Sequence, residues 1–151
     1  MQNDQTKNRV PFARALIVAL IVPCASALAL EVSSVTGQWV GNSLLEGSRG
    51  AEKTSLSLGE PEAENAVLRV EDRSTCTLSH GAYSAQQSAD GAGAWSLSFK
   101  ESRGGEACER LARGKFLLRR GSVPRTLEFD ATYPAHDGSE NHLRGILSRY
   151  P

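Results

Sequence analysis

The sequence predicts an all-β domain: a small antiparallel up-and-down barrel, or a closely related sandwich, of about eight strands with one disulfide. Three observations lead there. Apolar and polar residues alternate with a period of two over short stretches, no stretch sustains the period of a helix, and Gly, Pro and Asp punctuate the chain at short intervals.

The clearest strands are 54–58, 95–99 and 127–133. In the first, Leu56 and Leu58 share one face with serines between them. The second puts Trp95, Leu97 and Phe99 together, and the third sets Leu127, Phe129, Ala131 and Tyr133 opposite Glu128 and Asp130. Further strands are expected at 38–45, 66–70, 74–86 with a break near Gly81, 115–119 and 142–150. The turns between them carry Glu46-Gly47 and Gly50, Gly59 with Pro61, Asp90-Gly91, Gly104-Gly105, Gly121 with Pro124, and Asp137-Gly138. Links this short favour antiparallel neighbours. One helical turn or two is expected over 106–113, holding Cys108, Leu111 and Ala112 against the barrel. The inward set also takes in Leu68, Val70, Leu78, Phe116, Leu118 and Leu147.

Residues 1–29 read as a cleavable signal peptide. Lys7, Arg9 and Arg14 precede the uncharged run 15–23, which is too short to span a bilayer, and Ala25-Ser26-Ala27-Leu28-Ala29 supplies small residues for cleavage after Ala27 or Ala29. A lipoprotein signal would use Cys24, but Pro23 stands where a small flexible residue belongs. The expected product is a single periplasmic or secreted domain, 30–151. Its only cysteines are Cys76 and Cys108, and an oxidising compartment implies that they are bridged.

Charge is balanced, with 17 Lys and Arg against 17 Asp and Glu, so no net field points to nucleic acid. Its distribution is uneven. Arg110, Arg113, Lys115, Arg119, Arg120 and Arg125 fall in one span without an acid, a candidate contact surface for anionic lipid, polysaccharide or an acidic protein partner. Solvation on the outer face of a strand and its turn explains the same pattern without a partner.

No catalytic constellation is legible. There is no phosphate loop, nucleophile elbow or zinc-protease motif, and no serine sits beside an activating feature. The acidic pairs Glu128 with Asp130 and Glu62 with Glu64 fall on an outer face or a loop. His80, His136 and His142 lack metal-ligand spacing, although His136, Asp137 and His142 flank one turn. No enzyme activity, cofactor or metal is expected. Gly81, inside Ser79-His80-Gly81-Ala82, suits a bulge or a bend.

Gly37-Gln38-Trp39, at the start of the first strand, resembles the Gly-x-Trp signature that opens lipocalins and related calycin barrels. The resemblance implies that Trp39 closes one end of the barrel and that a basic residue of the last strand packs across it. Arg149 is that residue if the first and last strands are antiparallel neighbours. Parity agrees, since Trp39, Gly41, Ser43 and Leu45 share one face, as do Leu143, Gly145, Leu147 and Arg149. The later lipocalin motif is not recognisable. Thr36-Gly37-Gln38-Trp39 also matches the opening of biotin-binding barrels, whose further tryptophans are missing; only Trp95 remains.

The functional expectation is an exported binding module, inhibitor-like or accessory-like, acting through its surface on a protein of the cell envelope. Two alternatives stand beside it: a carrier of a small apolar ligand inside the barrel, and an envelope protein that touches an anionic surface through 110–125. Sequence leaves the oligomeric state open.

Overall fold

Period-two alternation lets each strand bury one face, and eight of the nine strands among the described residues do so here. The computed structural model describes residues 35–71, 74–86 and 93–151. The expected signal peptide and the Asp90-Gly91 turn lie outside the described residues. Chain order is β1 (Gly37–Leu45), β2 (Ala51–Leu58), β3 (Ala66–Glu71), β4 (Thr75–Gln86), β5 (Ala94–Ser98), β6 (Glu101–Arg103), α1 (Glu106–Ala112), β7 (Lys115–Arg120), β8 (Thr126–Pro134) and β9 (Glu140–Arg149).

Each strand pairs antiparallel with its neighbours, and β1–β9 and β3–β4 pairing closes the ring. This is an up-and-down barrel of eight strands with one extra, β6. Closure decides between the barrel and the sandwich, because a sandwich would leave edges unpaired. The extra strand, β6, had no counterpart in the sequence reading. After Ser98 the chain leaves its line on β4 and resumes it at Glu101, so β5 pairs with 82–86 and β6 with 77–79. Three residues are too few to show a period.

The expected break in β4 is a bulge, not an interruption. Register slips between Ala66 and Leu68, and His80 takes a left-handed φ of 52°. The next residue, Gly81, is buried where the Phe99 ring leaves no room for a Cβ.

Inside the ring, Leu56, Leu68, Leu78, Leu118, Phe129 and Leu147 are each at most 2% exposed. They belong to one continuous cluster of side chains that also includes Trp39 and Trp95 near one end and Cys108 and Leu111 near the other. The rings of Phe99 and Phe116 meet edge to face at 5.1 Å, and Phe116 stacks on Phe129 at 6.0 Å. Such filling is what a barrel of this strand number accommodates. Tyr133 is only partly buried and packs on the margin of the cluster.

Two glycines set how closely the first and last strands approach. A Cβ at Gly41 would lie 2.2 Å from the Ile146 carbonyl oxygen, and one at Gly145 would lie 2.6 Å from that of Asn42. Both positions have inward parity, so backbone replaces side chain at the seam.

The two ends differ in construction. The helix end is covered by α1, whose buried Cys108 bonds to Cys76 of β4 with the Cα atoms 5.4 Å apart. The bridge closes 32 residues of chain, a loop whose closure stabilises the fold by about 3 to 4 kcal/mol. The opposite end holds the start of β1 and the end of β9.

Candidate functional site

Closure of the second end begins with two residues ahead of β1. Val35 is 1% exposed, and its carbonyl accepts the indole N–H of Trp39 at 2.7 Å. The tryptophan is therefore saturated by its own chain and buried. Thr36 follows over the rim: its hydroxyl meets the Tyr83 hydroxyl at 3.2 Å, and that phenol donates to the Gly59 carbonyl at 2.7 Å. Burial pushes the Tyr83 phenol above the ordinary tyrosine range, opposed by the hydrogen bond from Thr36. From β9, Arg149 donates to the Thr36 carbonyl at 3.0 Å and sets its guanidinium 5.8 Å from the Trp39 ring centroid. Trp39 and Arg149 are cross-strand partners in the ladder. Trp39 is thus a plug at this end.

Beside the plug lies a cleft of about 420 Å³ between the end of β9 and the β7–β8 turn. Arg120, Arg125 and Arg149 line it together with Val123, Leu127 and Trp39, and among the described residues no acidic side chain does so. Its wall is tied down by backbone bonds from Gly121 N–H to the Thr126 carbonyl at 2.9 Å and from Arg149 N–H to the Arg125 carbonyl at 3.0 Å.

A second concavity, about 370 Å³, runs across the outer face of β1, β9, β8 and β7. Apolar side chains form much of it. Ile146 is 61% exposed and Leu44 49%, with Leu117 on β7 completing the row. Charges border them: Arg144 donates to Asp130 at 3.0 Å, and Arg119 stands opposite Glu128 in the β7–β8 register. Large aliphatic groups this exposed are the unusual feature of the barrel's outer wall, since outward strand positions are ordinarily polar.

The basic span is divided. Arg110 pairs with Glu106 on α1, and Arg113 caps that helix, so both lie with Lys115 at the helix end. Arg120 and Arg125 line the plug-end cleft, about 17 Å of strand away. A single contact surface over 110–125 is therefore not what β7 builds, because a strand carries consecutive residues the length of the barrel and points them alternately in and out. Arg119 belongs to the outer groove.

Nor do the histidines converge. His136 faces Glu106 at 3.4 Å, His142 meets the Thr132 hydroxyl at 3.3 Å, and His80 lies 3.7 Å from Glu101. Asp137 turns to Ser139 instead, whose hydroxyl and N–H hold its carboxyl below the usual range. Among the described residues no three His, Cys, Asp or Glu are grouped to hold a metal ion. Glu128 and Asp130 stay on the outer wall, and Glu64 pairs with Lys100.

The sequence reading missed three things. One is Tyr83 as the latch for Thr36; nothing local marks it. Another is the buried pair Ser43 and Thr54, whose hydroxyls meet at 2.6 Å. The third is the outer apolar row, which parity could have shown, since inward Trp39 and Leu147 force Leu44 and Ile146 outward. Compared with protein-family models, curated proteins and solved structures, the chain matches none.

Proposed function

We propose that this chain is an exported binding module whose working part is the outer wall of the barrel, and that its partner is a protein of the cell envelope. One observation carries the reading: Leu44, Ile146 and Leu117 form an apolar groove outside a barrel whose inside is occupied by its own side chains. Exposed aliphatic groups bordered by charges are the composition of a protein-binding patch. Inhibitor-like and accessory-like roles both fit, since each needs a rigid scaffold and no reacting groups. The lipocalin-like reading is supported by the Arg149 and Trp39 stack and concerns architecture more than cargo.

Site-specific photocrosslinking tests this. With a photoreactive residue at position 146 in the native envelope, a discrete protein adduct is expected. The same probe at Arg69, on β3 across the barrel from the groove, should give none. Leu44→Glu supplied in excess should fail to compete where the unmodified protein competes. Equal labelling from both positions, or none from position 146, removes the proposal.

A further inference from the structure

The residues of the outer groove are arranged with a symmetry that the fold does not require. We infer that this groove also takes a second copy of the chain, in a weak two-fold dimer that an envelope partner displaces. The inference rests on the reading of the outer groove as a protein-binding surface, and names how access to it is regulated.

Strand register fixes the positions. Arg119, Glu128 and Ile146 stand side by side on β7, β8 and β9, and Leu117, Asp130 and Arg144 form the next row on the same face. A half-turn about Phe129, the residue between the two acids, carries Arg119 to Arg144, Glu128 to Asp130 and Ile146 to Leu117. Each residue lands on one of its own kind. The flanking strands keep the pattern, with Leu44 answering Ala94 and Asn42 answering Ser96. The inward row beneath, Leu118, Phe129 and Gly145, has no such match, so the symmetry belongs to the surface.

Two copies that meet face to face are related by a two-fold axis lying in the interface, so each contact occurs twice and the patch must complement its own image. Strands lie about 4.8 Å apart and same-face residues about 6.8 Å apart. With that spacing, an axis about 30° off the strand direction lays Arg119 of each copy over Glu128 of the other. The half-turn then ensures that the same axis lays Arg144 over Asp130 and Ile146 over Leu117. Every charge meets its opposite, and the aliphatic groups meet each other. An axis along β8 would instead set Glu128 against Glu128, so the charges also select the orientation. The groups are accessible: Ile146 is exposed, and the Arg144 side chain stays 65% exposed while it holds Asp130. Six residues a side are far fewer than the roughly 20 to 30 of a standard interface, which places the dissociation constant at about 10 to 100 μM. Such a dimer covers the aliphatic groups and yields to a tighter partner.

Sedimentation velocity on the purified protein at rising concentration should show a monomer–dimer equilibrium that weakens with salt. An all-acid groove, Arg119→Glu with Arg144→Glu, and an all-basic one, Glu128→Arg with Asp130→Arg, should each stay monomeric where the unmodified protein dimerises. Mixed in equal amounts, the two should form a one-to-one heterodimer, which misfolded variants would not do. Ile146→Ser in both chains should weaken that heterodimer about tenfold. A monomer at every concentration up to about 1 mM overturns the inference. So do self-association of either charge variant, a mixture that stays monomeric, or a heterodimer indifferent to Ile146. With the photoreactive residue at position 146, an adduct of twice the chain's mass reports the second copy, and one of another mass reports the envelope partner. The purified envelope adduct should bind no further chain at concentrations where the uncrosslinked chain dimerises; binding there overturns the exclusion. Loss of the envelope adduct alone removes the envelope partner and not the dimer, so the two readings fail separately.

Discussion

Arg149 and Trp39 face each other across the seam between the last and first strands, the guanidinium 5.8 Å from the ring centroid. The two residues do unequal work. Trp39 is 3% exposed and fills the end of the barrel, whereas Arg149 is exposed and covers it. Trp39→Ala should therefore destabilise by about 3 to 5 kcal/mol, as loss of a buried aromatic does. Arg149→Gln should cost no more than about 1 kcal/mol, because its cation–π contact is open to solvent. Urea titration of each variant checks the ratio, and similar losses would show that the plug is held chiefly from outside.

Ser43 and Thr54 place two hydroxyls inside an otherwise apolar wall. Thr54 donates to the Glu52 carbonyl at 3.3 Å, so Ser43 is the donor in the 2.6 Å bond between them. Removing one partner strands the other in a dry site and should cost about 1 to 3 kcal/mol. The pair Ser43→Ala with Thr54→Val should cost less than the sum of the single changes. A double-mutant cycle by chemical denaturation reads this coupling; additive losses would mean that water already serves the site.

The bridge between Cys76 and Cys108 anchors α1, a helix of 7 residues that is too short to persist alone. Replacing both cysteines by alanine should lower stability by about 3 to 4 kcal/mol. Amide exchange should show the loss locally, with protection falling first on α1 while β8 and β9 keep theirs. Uniform loss over the whole barrel would assign the bridge a global role instead.

Tyr83 should make the plug sensitive to alkali. Burial raises its phenol pKa in the folded state above the unfolded value. A raised pKa means that the folded form binds the proton more tightly, so the contribution is intact below about pH 10 and is lost as pH rises through the folded value. Tyr83→Phe loses the hydrogen bond to Gly59 at every pH and should flatten this decline. Parallel stability curves for the two proteins would exclude Tyr83 as its source.

At the seam, Gly41→Ala should be among the costly small substitutions. The added methyl would meet the Ile146 carbonyl oxygen, which is backbone and cannot swing aside. A loss of about 1 to 3 kcal/mol is expected by thermal or chemical unfolding, and a neutral result would show that β1 can move away from β9.

Alternation made the strands legible. A half-buried strand must repeat every two residues, so Leu56 and Leu58, Trp95 and Leu97, and Leu127 and Phe129 announce their face without help from the rest of the chain. The same parity brought Arg149 to Trp39 on paper. Other features left no local trace. β6 spans three residues, and its place on β4 follows from how the chain bends around Phe99 and the bulge at His80. Tyr83 reaches Gly59 across 24 positions, a distance that no window of sequence covers.

What the amino-acid order determined alone is the class of fold and the inward face of the strands that alternate, because each follows from local periodicity; the pairing of Cys76 with Cys108 followed only on the expectation that Cys24 lies in a leader. Tertiary structure decided the rest: that the sheet closes, that the basic span is split between opposite ends, and that Arg149 joins Arg120 and Arg125 beside Trp39 in one cleft. Those outcomes depend on which strand ends share a rim, and a rim exists only after the last strand has hydrogen-bonded to the first.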